Sequence, residues 1–492
     1  MEFFREYYRP SYHFRPKDNW MNDPNGPIYY REEYHIFYQY NPNGAQWGTI
    51  HWGHAKSKDL IHYEECPIAL YPDSEEGEVH CYSGCAFEIN DEPVIYYTSV
   101  GEGIRNPMEG AMQRMANCEM QHTLQNSSDK NKNLMVWEKR QELAVRKEVH
   151  EFSGVHIAMW RDPFVWKEDD GWYMLLGGTK LSSYAENMDE VKRGKGCLAL
   201  YTSKDTKSWQ FKNIILETED TYLLECPCML CYGEEYILLY SPLDAVRYQV
   251  GRLNKENWEF IVKEEGIFDY SILKRGFYAP NTFWNEPLGR KIVMGWLSET
   301  DRERLGMVWS WSGMLSIPRE VSLQDGKLRI RPAQEVELLR KKKKLSFDAK
   351  NNVLKDIYCR GHNLEIDMEF ERNEENEKTG EFELYILSSD DNREKTVLSY
   401  SMNEEKLRLD RECSNKESRD ASSCKMIEMP VKVLNKLKVR VFIDGSAVEI
   451  YVNERSTMSA RIYPSHEQSD RVCLVKCNDI ALIRFDVWDL AL

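Results

Sequence analysis

One unit returns five times along the chain, and that return constrains the fold more than any other feature. It opens at Asp23-Pro24-Asn25-Gly26-Pro27, runs as a strand through Tyr30, turns at Arg31-Glu32-Glu33 and comes back as Tyr34-His35-Ile36-Phe37-Tyr38, with Ser57-Lys58-Asp59 and Tyr63 further on. A close copy opens at Asp162-Pro163-Phe164-Val165-Trp166, returns as Trp172-Tyr173-Met174-Leu175-Leu176 and carries Ser203-Lys204-Asp205 with Trp209 at the same offset. Weaker copies begin at Ser83, at Glu225-Cys226-Pro227 and at Tyr278-Ala279-Pro280, so the starts lie 60, 79, 63 and 53 residues apart. Short β-branched and aromatic runs bounded by Gly, Pro, Asn and Asp are strands, and multi-strand units that cannot bury their faces alone are propeller blades. Five copies predict five blades over residues 1–331.

The texture then changes. Residues 332–344 read as a linker helix ending in Arg340-Lys341-Lys342-Lys343-Lys344, where cations would complement the helix dipole. From 345 to 492 alternating strands follow, among them Asn363 to Phe370 and a hairpin of Leu437 to Ile443 with Val448 to Val452 about Asp444-Gly445. The stretch Asn403 to Lys425 reads as loop. The expected fold class is therefore all-β, a five-bladed β-propeller followed by a C-terminal β-sandwich.

Charge excludes partners. With 65 Lys and Arg against 81 Asp and Glu the net charge is −16, which disfavours nucleic acid and anionic membrane, and the basic run is too local to alter that. The N-terminus shows no secretory signal, and 13 cysteines without regular spacing suit reduced thiols, so the expected location is cytoplasmic. Cys226-Pro227-Cys228 with Cys231 lacks a nearby His and reads as buried thiols; His51, His54 and His62 alternate with strand aromatics. No metal and no cofactor are expected.

Inner strands of a propeller line one channel, so matched positions converge there. Asp23, Asp162 and Glu225 stand at three blade starts, each followed at the next residue or the one after by a Pro that biases the residue before it toward extended geometry. One Asp-Pro is ordinarily a turn residue capping its own backbone. Three carboxylates at matched positions, amid Trp, Tyr, Asn and Arg, instead suit glycoside hydrolysis, which needs a carboxylate and a carboxylic acid flanking the scissile bond.

Trp20-Met21-Asn22-Asp23-Pro24-Asn25-Gly26, Arg161-Asp162-Pro163 and Glu225-Cys226 resemble the three signature blocks of glycoside hydrolase family 32, the invertase, inulinase and levanase group. Supporting blocks are similar too: Tyr38-Gln39-Tyr40-Asn41-Pro42, Tyr82-Ser83-Gly84, Phe277-Tyr278-Ala279-Pro280, Pro318-Arg319-Glu320 and, in the sandwich, Val448 to Asn453. The resemblance implies a retaining, exo-acting β-fructofuranosidase acting on sucrose or short fructo-oligosaccharides through a covalent fructosyl-enzyme. Asp23 would be the nucleophile, held ionised by Asn22 or a backbone N–H. Glu225 would be the acid and then the base, protonated at working pH, and Asp162 the transition-state stabiliser with Arg161 orienting it. Asn22, Gln39, Trp47, Tyr82, Ser83, Arg161 and Trp296 would hold the fructosyl ring, with Trp47 and Trp296 either its apolar wall or propeller core.

The chain departs from the family pattern at Asn281, where Gln is usual, and at Tyr82, where Phe is more usual. Its second blade is the longest, enlarged over residues 101–153. Alternatives therefore stay open on the aglycone side: a levanase or inulinase, a hydrolase of difructose dianhydrides, or a fructosyltransferase; a carbohydrate-binding propeller without catalysis would lack one of the three carboxylates, and none is missing. The expected partner is a fructose-containing oligosaccharide; a homodimer is left open.

Overall fold

The computed structural model describes residues 6–103, 106–109, 111–118, 134–271, 276–299, 310–348, 357–372, 379–415, 426–433 and 435–492. Five antiparallel sheets follow one another as blades whose inner strands are Asn19–Tyr30, Glu78–Ile89, His156–Glu168, Glu225–Tyr232 and Phe277–Thr282. The ring closes where Asn19 and Trp20 pair in parallel with Trp311 and Ser312, so the first blade takes a strand from the end of the propeller.

Each inner strand carries an irregularity at the same level. Asp162-Pro163 oppose Leu176, Cys226-Pro227 oppose Tyr240 and Ala279-Pro280 oppose Gly295, two residues against one. The register also slips between Met21 and Pro24 and between Tyr82 and Gly84. Proline has no N–H for the ladder and is accepted at such bulges. Asp162, Cys226 and Ala279 sit at φ of 60°, 47° and 51°, a left-handed geometry that non-glycine residues adopt at a cost of order 1–3 kcal/mol. One turn deeper, Gly26 (φ 45°) brings its Cα so near blade II that a Cβ would lie 2.7 Å from the Ala86 nitrogen. The repeated bulge turns successive residues of every inner strand toward the channel.

The second unit is a sandwich of a seven-stranded and a six-stranded sheet around one apolar core, with the Asp444-Gly445 hairpin pairing Val439 with Val452 through to Asp444 with Ala447. The linker differs from expectation. Only Gln334–Leu339 is helical, as a 3-10 turn, and Arg340–Asp348 is an edge strand of the sandwich, which thus begins before 345. Arg340, Lys343 and Lys344 pair there with Glu365, Asp486 and Asp489. Cations along a sheet edge discourage pairing with another chain, a use of charge that a helix-end reading overlooks.

Two more expectations change. Residues 101–153 are largely the outer half of blade II, strands Met112–Cys118 and Trp137–Val145, rather than an added loop; 119–133 lie outside the described residues. Within Asn403 to Lys425, Lys406–Asp410 is a strand, and 416–425 lie outside the described residues.

Propeller and sandwich are locked by buried charge. Asp269–Ser271, between blades IV and V, pairs in parallel with the sandwich strand Ser456–Arg461. Arg319 donates to Asp269 and Glu449, and His13 bonds Asp444 and Glu449 at 2.9 Å each, all fully buried. Asp444 also accepts the backbone N–H of Ser11, Tyr12 and His13 at 2.6, 2.9 and 2.8 Å.

Candidate active site

The bulges set two successive residues of each inner strand at neighbouring levels. At the outer level stand Asn22, Tyr82, Arg161, Glu225 and Tyr278; one residue further in stand Asp23, Ser83, Asp162, Cys226 and Ala279. Glu225 is therefore the counterpart of Asn22 and Arg161, while Cys226 is the counterpart of the two aspartates. The sequence reading set all three carboxylates at one level, and the structure moves Glu225 outward by one residue.

At the inner level Asp23 is gripped from two sides. Its Oδ1 accepts from Asn22 Nδ2 at 3.0 Å, and its Oδ2 accepts from Ser83 Oγ at 2.6 Å, with Gln39 Nε2 and Cys226 Sγ at 3.4 and 3.5 Å. Asn22 is itself oriented, since its Oδ1 accepts from Trp20 Nε1 at 2.7 Å and its Nδ2 also donates to Gln39 Oε1 at 2.8 Å. Gln39 donates in turn to Ser83. The donors to Asp23 are thus side chains, with Asn22 among them as expected.

Asp162 accepts the Cys226 backbone N–H at 2.9 Å and lies 3.5 Å from its Sγ, while its own N–H donates to Thr98 Oγ1 at 2.9 Å. One thiol thereby touches both aspartates. Burial raises Asp23 above the usual carboxylate range against the pull of Ser83 and Asn22. It pushes Asp162 up to about 7, opposed by Arg161 and aided by the negative charge of Glu225.

At the outer level Glu225 Oε1 accepts from Arg161 at 3.2 Å and Oε2 from the Tyr278 hydroxyl at 2.8 Å. Arg161 is fixed by donating its Nε–H to the Met159 carbonyl at 2.9 Å. Its hydrogen-bonded carboxylate is Glu225, not the Asp162 expected, because the bulge puts Asp162 on the inner level. Tyr278 is not among the expected site residues; its place in the repeat, level with Arg161 and Glu225, is the signal that points to it. Thr98, on the neighbouring strand, carries no such signal.

The remaining predicted residues divide. Tyr82 lies beneath Arg161, whose guanidinium carbon is 5.5 Å from the ring centroid. Trp47 is 53% exposed, with its ring 4.9 Å from His80. Trp296 is buried in the propeller core, 5.8 Å from Trp20, and a Cβ on Gly313 would fall 2.8 Å from its Nε1. It backs Trp20, which carries Asn22. A cavity of about 680 Å³ opens deeper along the channel, lined by Gly26, Ala86, Trp166 and Trp284 among others; Asp23, Asp162 and Glu225 do not line it.

Among the described residues, no group of three His, Cys, Asp or Glu is arranged to hold a metal ion, no cysteines are paired, and no helix is long and apolar enough to cross a membrane. His35 and His54 bond one another at 3.0 Å, and His62 bonds Asp59.

The family model for the glycosyl hydrolases family 32 N-terminal domain matches residues 13–332, and that for the glycosyl hydrolases family 32 C terminal matches 333–489. A sucrose-6-phosphate hydrolase of Zymomonas mobilis is 29% identical over 484 residues, covering 93% of this chain and 87% of that one. A raffinose invertase of Escherichia coli is 27% identical, covering 98% and 95%. The crystal structure of fructan 1-exohydrolase IIa from Cichorium intybus superposes with a TM-score of 0.81 at 22% identity, covering 99% of this chain and 98% of that one; at that identity the likeness concerns the fold.

Proposed function

The chain belongs to glycosyl hydrolases family 32 and is a glycoside hydrolase, and from that premise we propose that it is a retaining, exo-acting β-fructofuranosidase releasing terminal fructose from sucrose or short fructo-oligosaccharides. The observation that carries this reading is the joining of Asp23, Asp162 and Glu225, from three blades, through Cys226 and Arg161.

In this reading Asp23 attacks the anomeric carbon of the fructosyl unit. Its Oδ2 takes the Ser83 hydrogen bond with two further donors close by, whereas Oδ1 accepts from Asn22 alone, so Oδ1 is the oxygen with a lone pair to spare. Glu225 gives its proton to the departing glycosidic oxygen as the C–O bond breaks, leaving a fructosyl ester on Asp23. It then takes a proton from water, which attacks the same carbon and frees the aspartate. Asp162 bonds sugar hydroxyls that become more acidic as positive charge develops, and Asn22, Gln39, Tyr82, Ser83 and Arg161 hold the ring. Trp47 is its apolar wall; burial gives Trp296 a supporting place behind Trp20. Catalysis lies within the propeller of residues 1–331, and cysteines scattered without regular spacing suit a cytoplasmic location.

A second reading, hydrolysis of sucrose 6-phosphate, draws on the named activity of the Zymomonas mobilis relative. The test is fructose release from sucrose, sucrose 6-phosphate, raffinose, kestose, inulin, levan and difructose dianhydrides. Faster turnover of sucrose or kestose than of the polymers is expected. Preference for levan or inulin would replace the oligosaccharide reading with a polymer-directed one, and no release from any member would remove the fructosidase reading altogether.

A further inference from the structure

Trp47 sits on the connection between Asn41 and His51 and is more than half exposed, a poor position for a rigid sugar-binding wall unless something holds the connection in place. Two side chains, Asn41 and His80, and one backbone N–H hold it. From within blade I, Asn41 donates to the Gln46 carbonyl at 2.8 Å and accepts the Asn43 N–H at 3.1 Å, and Gly48 lies so close that a Cβ there would be 2.5 Å from the Asn41 amide nitrogen. From blade II, the Nδ1 of His80 accepts the Ile50 backbone N–H at 3.3 Å, and the Cys81 N–H donates to the Ile50 carbonyl at 2.9 Å.

His80 also lies within a run of rings. Its centroid is 4.9 Å from Trp47 and 5.4 Å from Tyr82, and Tyr82 lies under Arg161, which bonds Glu225. Accepting a hydrogen bond at Nδ1 requires a lone pair there, so the ring is the neutral Nε2–H tautomer. Partial burial favours the same state by lowering the imidazole from its usual range. One side chain thus ties the Trp47 connection to the strand bearing Tyr82 and Ser83.

We propose that His80 is a positioning residue for the fructosyl site, holding Trp47 at the site through the Ile50 hydrogen bond and through ring contact. The proposal rests on the fructosidase reading and adds to it a residue that touches no reacting atom. Loss of the His80 side chain would remove the acceptor for the Ile50 N–H and the ring beside Trp47, loosening the connection although the Cys81 N–H still holds the Ile50 carbonyl, while leaving Asp23, Asp162 and Glu225 in place.

The test is steady-state fructose release from sucrose by the unmutated chain, His80→Phe, His80→Asn, Trp47→Ala and the double variant His80→Phe/Trp47→Ala. Phe keeps a ring without the acceptor, while Asn keeps an acceptor near the Nδ1 position without the ring. His80→Phe should raise KM roughly tenfold and change kcat by less than about twofold, since a wall contacts ground state and transition state alike. His80→Asn should recover part of the loss, and the double variant should be no worse than Trp47→Ala alone, because His80 acts through Trp47. If the larger ring prevents folding, His80→Ala replaces His80→Phe in the same cycle. A KM unchanged by loss of His80, or penalties that multiply in the double variant, overturns the proposal while the fructosidase reading stands. No fructose release by the unmutated chain removes that reading and takes this proposal with it.

Discussion

The Tyr278 hydroxyl donates to Glu225 Oε2 across 2.8 Å, binding blade V to blade IV at the outer level of the site. The same hydroxyl lies 3.3 Å from the Ser241 carbonyl and accepts the Leu243 N–H at 3.0 Å, so its direction is set by the strand beside Glu225. In the mechanism proposed above Glu225 first gives and then takes a proton, which calls for a fixed orientation, and this bond together with that from Arg161 holds the carboxyl.

Tyr278→Phe should therefore slow turnover without emptying the site. The ring is buried and stays packed, and what is lost is one hydrogen bond to the carboxyl that must deliver the proton, worth about 0.5–1.5 kcal/mol or about two- to tenfold in kcat/KM. Steady-state kinetics on sucrose would check it. A change confined to KM would mean that Tyr278 binds sugar rather than orienting Glu225.

Asp23→Asn should lose more than about a thousandfold in kcat, because an amide cannot form the fructosyl ester. Its effect on stability should run the other way. Burial raises the Asp23 carboxyl, so the folded state holds a proton more firmly than the unfolded state, and ionising the group costs stability as pH rises through the folded value. Removing that charge should leave the melting temperature unchanged or higher at neutral pH. An active, folded Asp23→Asn enzyme would end the covalent mechanism.

How much of this was open to the sequence follows from what repeats preserve. Asp23 and Asp162 were legible because their two blades both open with Asp-Pro and carry the same later Ser-Lys-Asp at a matching place. The outward step of Glu225 was not, because an extra residue in a strand changes level without altering composition, and it shows only when Glu225-Cys226-Pro227 is aligned on its proline with Arg161-Asp162-Pro163, which puts Glu225 level with Arg161 and Cys226 level with Asp162. Arg161 was consequently assigned to its sequence neighbour instead of to Glu225, its neighbour at the outer level. Tyr278 and Thr98 looked like ordinary strand residues, and the Arg340 to Lys344 run carried charge but no period by which a strand could be told from a helix end.

His13 sets an alkaline limit on the junction of the two units. Both ring nitrogens face carboxylates, Asp444 and Glu449, and their hydrogen bonds raise the buried imidazole to about 9 despite desolvation. A raised folded value means that the stabilisation is complete below the unfolded value of about 6.5 and is lost as pH climbs toward 9, roughly 3 kcal/mol over that window. Urea unfolding at pH 6 and pH 9.5 should show this loss, and His13→Gln should reduce it. An equal fall in the variant would place the alkaline sensitivity elsewhere.

An acid limit lies within blade I. His35 and His54 bond each other at 3.0 Å in the interior, and Phe37 stacks on His54 at 4.5 Å, so a proton added to either ring meets desolvation and a neighbouring imidazole. Burial lowers His35 to about 4 and His54 well below its ordinary value. A lowered folded value for a base has the opposite sign to His13. The unfolded chain binds the proton first, so stability is whole above about pH 6.5 and drains as pH falls toward 4, by roughly 3 kcal/mol for His35 alone. Acid carboxylate titration would add to the same fall, so the informative quantity is the difference between the unmutated chain and His35→Gln. Gln cannot take up a proton, and the variant, although weaker at pH 7.5 for want of the ring, should lose less between pH 7.5 and pH 4.5. Parallel stability curves over that range would show that the histidine pair does not govern acid unfolding.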